Sequence, residues 1–368
     1  MWAGGTKMHI IEPPAHTVPS LTLGMTYSST VFARSRLLQL TEAMRGKLVV
    51  VYGDIVADRF VYGTPKRISR EAPVLILRQY RDDVLLGGGG NAVNNILSLG
   101  GLPIPVSVVG SDGHGEQLVQ KMTEQGIDCS GVLRVDRYRT PTKVRILGGY
   151  PHAARQQIVR YDIEDALEIT DAESQQFAAL LRDQMSICHA ALISDYGYGV
   201  VTPLLAANLT AYATRKPVTL DSRYSLLRYP DVTAATPNEE EAAAAAGISL
   251  FDNGDDRIRE VAEALQQSLD CDAILITRGS RGMALFERNG RDPIFIPVYG
   301  TDQVADVTGA GDTVIATFTL ALAAGASYAE AAKLANYGGG IVVMKMGTAT
   351  VSNDELRHAI ERDEELQS

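Results

Sequence analysis

Short apolar runs alternate with longer amphipathic ones along most of the chain. KLVVVYGD (47–54) is a β-branched run closed by Gly-Asp, the pattern of a buried strand. NAVNNILSLG (91–100) follows as a helix ended by glycine. IPVSVVGSD (104–112) reads as a strand and GEQLVQKMTEQG (115–126) as a helix. The alternation resumes with strand 190–196, helix 203–214, strand 217–222 and the apolar VTAATPN (232–238). Helices 239–246 and 255–268, strand 273–279 and helices 312–324, 328–344 and 353–365 complete it. This rhythm predicts an α/β fold, a mostly parallel sheet covered by helices on both faces.

Two segments, 59–86 and 134–162, are strand-rich without helices and predict a small β layer beside the main sheet. The first 46 residues read as an extension, 47–352 as the main domain and 353–368 as a C-terminal helix. Composition adds little: 45% apolar and 21% charged residues are ordinary for a globular chain. The net charge of −10 argues against nucleic acid or an anionic membrane as partner. Three isolated cysteines make no metal or disulfide framework and suit a reducing cytoplasm.

Charge is not evenly spread. Residues 59–81 hold six bases, including Arg67, against Glu71; residues 134–160 hold seven, including Lys143 and Arg155, against Asp136. Two readings stand: protection of sheet edges by charge, and a field that draws an anionic substrate.

Candidate chemistry sits at segment junctions. In VADVTGAGDTVIATF (304–318), Gly309, Ala310 and Gly311 lead into Asp312 where a helix begins. Free amides at a helix start attract an anion, and a carboxylate beside them could take a proton from a hydroxyl; alternatively Asp312 only caps the helix. GDIVAD (53–58) places Asp54 and Asp58 after the first strand, where α/β sheets bind ligands. LLGGGGNAVNN (85–95) suits close approach to a polar ligand better than a dinucleotide pattern. TPNEEEA (236–242) puts Asn238 and Glu241 on one helical face, fit for hydrated Mg²⁺ or simply for a helix start. ITRGSRGM (276–283) is a possible phosphate contact or an ordinary turn, and no P-loop motif occurs.

Together GD, GGGGN, TPNEEE, TRGSRG and DVTGAGDT resemble the ribokinase (PfkB-type) sugar kinases, in order and rough spacing, over about residues 47–352. GDIVADRFVYGTPKRISREAPV, RQQIVRYD, ISDYGYG and MGTATVSNDEL resemble the D-glycero-β-D-manno-heptose 7-phosphate kinases. The resemblance implies a ribokinase-like Rossmann-type three-layer sandwich with a β-sheet lid, ATP, Mg²⁺ and often K⁺. It makes Asp312 the base and Gly309, Ala310 and Gly311 the anion hole. Asp54, Gly88, Gly89 and Asn91 would face the sugar, with Arg67, Lys143 and Arg155 of the lid. Asn238, Thr277, Gly279 and Asn336 would lie on the nucleotide. Asn238 and Glu241 would organise Mg²⁺; Asp306, Thr308 and Ser352 would lie near the monovalent cation. The expected partners are ATP, a sugar phosphate and a second copy of the chain through the lid, without nucleic acid or membrane.

Two stretches depart from the heptose kinases: Tyr198 stands where they have lysine, and Ser222-Arg223 where they read Pro-Lys. Arginine and lysine handle phosphate differently, so another sugar, phosphosugar or nucleoside stays open as acceptor. A catalytically weak sugar-binding protein is the remaining reading, against which the intact Gly-Ala-Gly-Asp turn argues.

Overall fold

The structure, a computed structural model, describes residues 32–150, 155–250, 254–288, 292–300 and 305–367. Its strands are β1 (Leu48–Gly53), β2 (Ile55–Ile68), β3 (Leu75–Gly88), β4 (Leu102–Gly110), β5 (Val132–Val135), β6 (Thr142–Gly148) and β7 (Gln156–Ile163). There follow β8 (Ala190–Asp195), β9 (Val218–Ser222), β10 (Ala234–Ala235), β11 (Ala273–Thr277), β12 (Met283–Glu287) and β13 (Ile294–Ile296). Nine form one sheet in the order β13-β12-β11-β10-β9-β8-β1-β4-β5, and four form a second in the order β3-β2-β6-β7. The large sheet is parallel from β5 to β11, with β12 and β13 added antiparallel.

Strand side chains alternate between faces, so β1 serves two cores. Val49 and Val51 join one cluster, Val50 and Tyr52 the other. The first core takes the helices Arg34–Ala43, Gly89–Ser98, Ala310–Ala323, Tyr328–Val342 and Asn353–Arg362. The second takes Asp171–Ile187, Pro203–Thr210 and Gly254–Leu269. Apolar residues therefore recur on both faces of β1, β4, β8 and β11, as the short continuous runs predict.

The helix Arg34–Ala43 lies inside the stretch expected to be an extension, yet Leu37 and Leu40 are buried. The Arg34 amide donates to the Gln367 carbonyl at 2.9 Å, tying the helix to the chain's far end. Truncating such a leucine to alanine typically costs about 2–5 kcal/mol, so this helix is part of the domain. The rest of the expected extension, 1–31, lies outside the described residues. The pattern reading passed over Asp171–Ile187, although Thr170 and Glu173 form a capping box at its start. VTAATPN shortens to the two-residue β10.

The four-stranded sheet is the lid, at the two segments the sequence singled out. Only Asp54 separates β1 from β2, so the chain passes from main sheet to lid at one residue. It returns through β3 into the helix Gly89–Ser98.

Candidate active site

The helix Ala310–Ala323 starts from Gly309, whose φ of 78° favours glycine. A Cβ on Gly309 would also lie 2.5 Å from Asn91 Nδ2. One turn in, Asp312 is 3% exposed. Asn91 Nδ2 donates to its Oδ2 at 3.0 Å, and the Tyr196 hydroxyl donates to its Oδ1 at 2.7 Å. Burial pushes the Asp312 carboxyl up to about 6; the Asn91 and Tyr196 donors pull against that, Asp58 adds to it and Lys143 opposes it. A carboxylate poised there can accept a proton near neutral pH. The Ala310 amide donates to the Val307 carbonyl at 3.2 Å, which removes it from the expected anion hole. Gly311 is exposed, with nothing within 4 Å of a Cβ built on it.

Four residues expected to face a sugar are turned to other work. Asp54 is 1% exposed, and its carboxylate accepts the amides of Tyr196 (2.7 Å), Tyr198 (3.3 Å) and Val200 (3.2 Å). It therefore holds the loop after β8. Burial pushes this carboxyl up to about 7, against those amide donors. The Gly89 amide donates to the Asp54 carbonyl at 2.9 Å, and a Cβ on Gly88 would sit 2.8 Å from the same oxygen. Those glycines let the lid's two crossings pack together. Asn91 is fully buried: its Nδ2 donates to Asp312 and to the Gly309 carbonyl, and its Oδ1 accepts from Asn95. It orders Asp312 and its turn.

The basic segments of the lid divide. Lys143 is 9% exposed, with Nζ 4.7 Å from the Tyr196 ring centre. Burial lowers its pKa, while the charges of Asp58 and Asp312 raise it. Arg145 pairs with Asp58 at 2.5 Å, and the Thr348 hydroxyl donates to the same carboxylate at 3.0 Å. Other cations meet acids lying just outside the basic stretches: Arg59 pairs with Asp82, Arg81 with Asp83 and Arg160 with Asp162. Arg67 is not near Asp312. It lies nine residues beyond Asp58 on β2, about 30 Å at the rise of a strand. It is exposed, and its Nη1 donates to the neighbouring Ile68 carbonyl at 3.4 Å. Arg155, beside the β7 residue that pairs with Gly148, stacks 5.1 Å from the Tyr62 ring centre, well along the lid.

A cleft of about 600 Å³ reaches Tyr196, whose hydroxyl donates to Asp312; Asp312 itself does not line it. Its lining includes the bases Lys143, Arg160 and Arg223, the acids Asp162, Glu164 and Asp165, and Tyr196, Tyr198 and Tyr224; the Tyr198 hydroxyl donates to Glu164 at 3.2 Å. Tyr196 and Arg223 were not among the site residues proposed from sequence. For Tyr196 the signal available was position, just after the carboxyl end of a parallel strand; Arg223 stood out besides as a departure from the heptose kinases.

Past β10 and β11, Asn238 and Thr277 lie side by side in an isolated bridge. Asn238 and Glu241 form a capping box: Asn238 Oδ1 accepts the Glu241 amide at 2.9 Å and Glu241 Oε2 accepts the Asn238 amide at 3.0 Å. Both are thus a helix start, as the plainer reading held, and Glu241 Oε1 remains outside the box. Burial raises the Glu241 carboxyl, and Asp221 on β9 is pushed well above the usual range by burial and then by Glu241 and Asp312. Gly279, with φ 56°, is exposed in the turn after β11. Asn336 is 2% exposed, and its Nδ2 donates to the Pro297 carbonyl at 2.8 Å, so that amide is engaged with the chain and not with an open adenine site.

The residues expected around a monovalent cation are each tied down locally. Asp306 accepts the amides of Thr308 (2.9 Å) and Gly347 (3.0 Å). Ser352 caps the helix Asn353–Arg362 and exchanges hydrogen bonds with Glu355. The Lys345 ammonium, 2.7 Å from the Thr350 carbonyl and paired with Glu355, supplies positive charge in this loop.

A family model described as pfkB family carbohydrate kinase matches residues 47–355. The bifunctional protein HldE of Geobacter sulfurreducens is 39% identical over 310 residues, 83% of this chain and 61% of that protein. HldE of Geobacter metallireducens is 41% identical over 310 residues, with the same coverages of 83% and 61%. The chain thus spans about three-fifths of the length of these curated relatives. Arabidopsis thaliana ribokinase complexed with ribose and ATP matches with TM-score 0.66 at 20% identity, over 86% of this chain and 99% of that one. Escherichia coli phosphofructokinase-2 in complex with potassium matches with TM-score 0.67 at 19% identity, over 86% and 98%. These likenesses show the ribokinase-like fold. With a family model spanning most of the chain and relatives near 40% identity, the chain belongs to the pfkB family of carbohydrate kinases.

Proposed function

We propose that the chain transfers the γ-phosphate of ATP to a hydroxyl of an already phosphorylated sugar, D-glycero-β-D-manno-heptose 7-phosphate at its anomeric position. The observation that carries this reading is the buried Asp312, its carboxyl near 6, bonded to Tyr196, which lines a cleft that also holds Lys143 and Arg223. The sequence resemblance to heptose 7-phosphate kinases and the match to HldE proteins support the acceptor.

Phosphoryl transfer asks a protein mainly for alignment and charge stabilisation. Asp312 takes the proton of the attacking hydroxyl, and the free amides at the start of its helix stabilise charge on the transferred group. Lys143 and Arg223 hold the acceptor's phosphate. Thr277 and Gly279 line the nucleotide side, with Asn238 and Glu241 at the adjoining helix start. Burial is the main cause of the raised Glu241 and Asp221 carboxyls, and Asp221 also feels the charges of Glu241 and Asp312, which a cation would relieve. Mg²⁺ fits there through water, for it binds few carboxylates and keeps its hydration; it would neutralise charge on the ATP phosphates.

The partner proposed for the lid is a second copy of the chain. Ile68, Val74, Tyr150, Ile158, Val159 and Tyr161 are exposed on the lid, an apolar patch of the kind that marks an interface. Among the described residues no helix is long and apolar enough to cross a membrane; the cytoplasm is the proposed location.

A second reading keeps the kinase and changes the acceptor. Tyr198, bonded to Glu164, and Arg223 both stand in the cleft where the heptose kinases carry lysine. The deciding experiment is turnover with ATP and Mg²⁺ on a panel of phosphosugars, free sugars and nucleosides. Heptose 7-phosphate should give the highest kcat/KM; a larger value for another acceptor would replace it.

A further inference from the structure

Tyr196 joins three parts of the molecule. Its amide donates to Asp54 at 2.7 Å, at the crossing from main sheet to lid. Its ring carries the Lys143 ammonium at 4.7 Å, from β6 of the lid. Its hydroxyl donates to Asp312 Oδ1 at 2.7 Å, on the helix Ala310–Ala323. We propose that Tyr196 is the positioning residue for the base, held by Asp54 and Lys143 so that its hydroxyl fixes and stabilises the Asp312 carboxylate. This rests on the reading of Asp312 as the base.

The geometry leaves Asp312 able to react. Asn91 takes one lone pair of Oδ2 and Tyr196 one of Oδ1, and each carboxylate oxygen has a second. The charged and titratable groups facing Asp312 come from four elements. Asp58 on β2 and Asp221 on β9 disfavour its ionised form, Lys143 on β6 favours it, and Tyr196 follows β8. Two of the three charged neighbours therefore oppose a buried carboxylate, and the neutral donors Asn91 and Tyr196 work against them. The Tyr196 phenol is itself held well above its usual pKa by burial, with Asp312 and Asp221 adding to the effect. It stays protonated, hence a donor, wherever Asp312 titrates. Asp54 in the Gly-Asp motif then serves the reaction through Tyr196 without touching a sugar.

The test is a ¹³C NMR titration of aspartate-labelled full-length protein, with the Asp312 carboxyl assigned by its loss in Asp312→Asn. A hydrogen bond to a charged group is worth enough to move a pKa by about one unit or more. In Tyr196→Phe the Asp312 midpoint should therefore rise by about one unit. The acid limb of kcat/KM, measured with ATP and heptose 7-phosphate, should rise with it, and the loss of rate should shrink above pH 8. A purely structural role would lower the rate evenly across pH. If Tyr196→Phe does not fold, 3-fluorotyrosine installed in place of Tyr196, a stronger donor, should lower the midpoint instead. An unmoved midpoint overturns the proposal, and an inactive Asp312→Asn in the same series would leave the base reading standing. An active Asp312→Asn would remove both.

Discussion

At the root of the lid, Lys143 and Arg145 are almost buried and face Asp58 and Tyr196, with Asp312 acting on Lys143. At its tip, Lys66, Arg67 and Arg70 stand exposed. The two regions share one sheet and similar composition, yet only the root can act on a small anion beside Asp312. The difference lies in dielectric and distance. An exposed charge more than about 8 Å away is screened at physiological salt, whereas a buried ammonium next to a carboxylate is not. Charge along the sequence thus marks the lid without telling which part of it binds.

The largest effect should come from Asp312, the proposed base. Asp312→Asn should lower kcat about 10²- to 10⁴-fold with the fold intact by circular dichroism. In the wild type, activity should fall as pH drops through about 6, because protonated Asp312 cannot accept the hydroxyl's proton. A flat profile from pH 5 to 8 would speak against that role.

The next effect separates root from tip. Lys143→Met and Arg223→Met should each raise the KM for the phosphosugar roughly ten- to a hundredfold and leave the KM for ATP unchanged. Arg67→Ala should change neither in steady-state assays, nor should Arg155→Ala. An equal loss at the tip would require a second copy's lid to complete the site.

Smaller effects follow. Glu241→Gln should raise the Mg²⁺ concentration giving half activity more than it alters sugar binding; an unchanged titration would reduce Asn238 and Glu241 to their capping box. Ile68→Asp should shift the mass measured by light scattering from dimer to monomer. A mass unaffected by this substitution would place any self-association away from the lid tip.

Much of the fold was legible because periodicity reports burial. β1, β4, β8 and β11 are apolar on both faces, and several helices start at side-chain caps, among them Asp112, Thr202 and Asn238. The helix Arg34–Ala43 escaped because its apolar residues are few and its sequence is mostly polar. At the site, Asp312 was legible from its glycine turn. Asp54, Gly88, Gly89 and Asn91 were found as motifs but assigned to the ligand, since a motif says that a chain comes close to something and not to what. Here the near partner is the chain itself. Tyr196 was missed because its role depends on three partners far apart in sequence. The lid arginines misled because the acids that neutralise them, Asp82, Asp83 and Asp162, begin one or two residues beyond the basic stretches.

The central claim is that the lid root and the β9 turn make a binding place for an acceptor's phosphate beside Asp312. The most direct measurement is kcat/KM for heptose 7-phosphate and for the same heptose without its phosphate, in wild type and in Lys143→Met. The wild type should prefer the phosphorylated sugar by about tenfold or more, the scale of one charged hydrogen bond, and the substitution should shrink that preference. Equal use of both sugars by the wild type would contradict the claim.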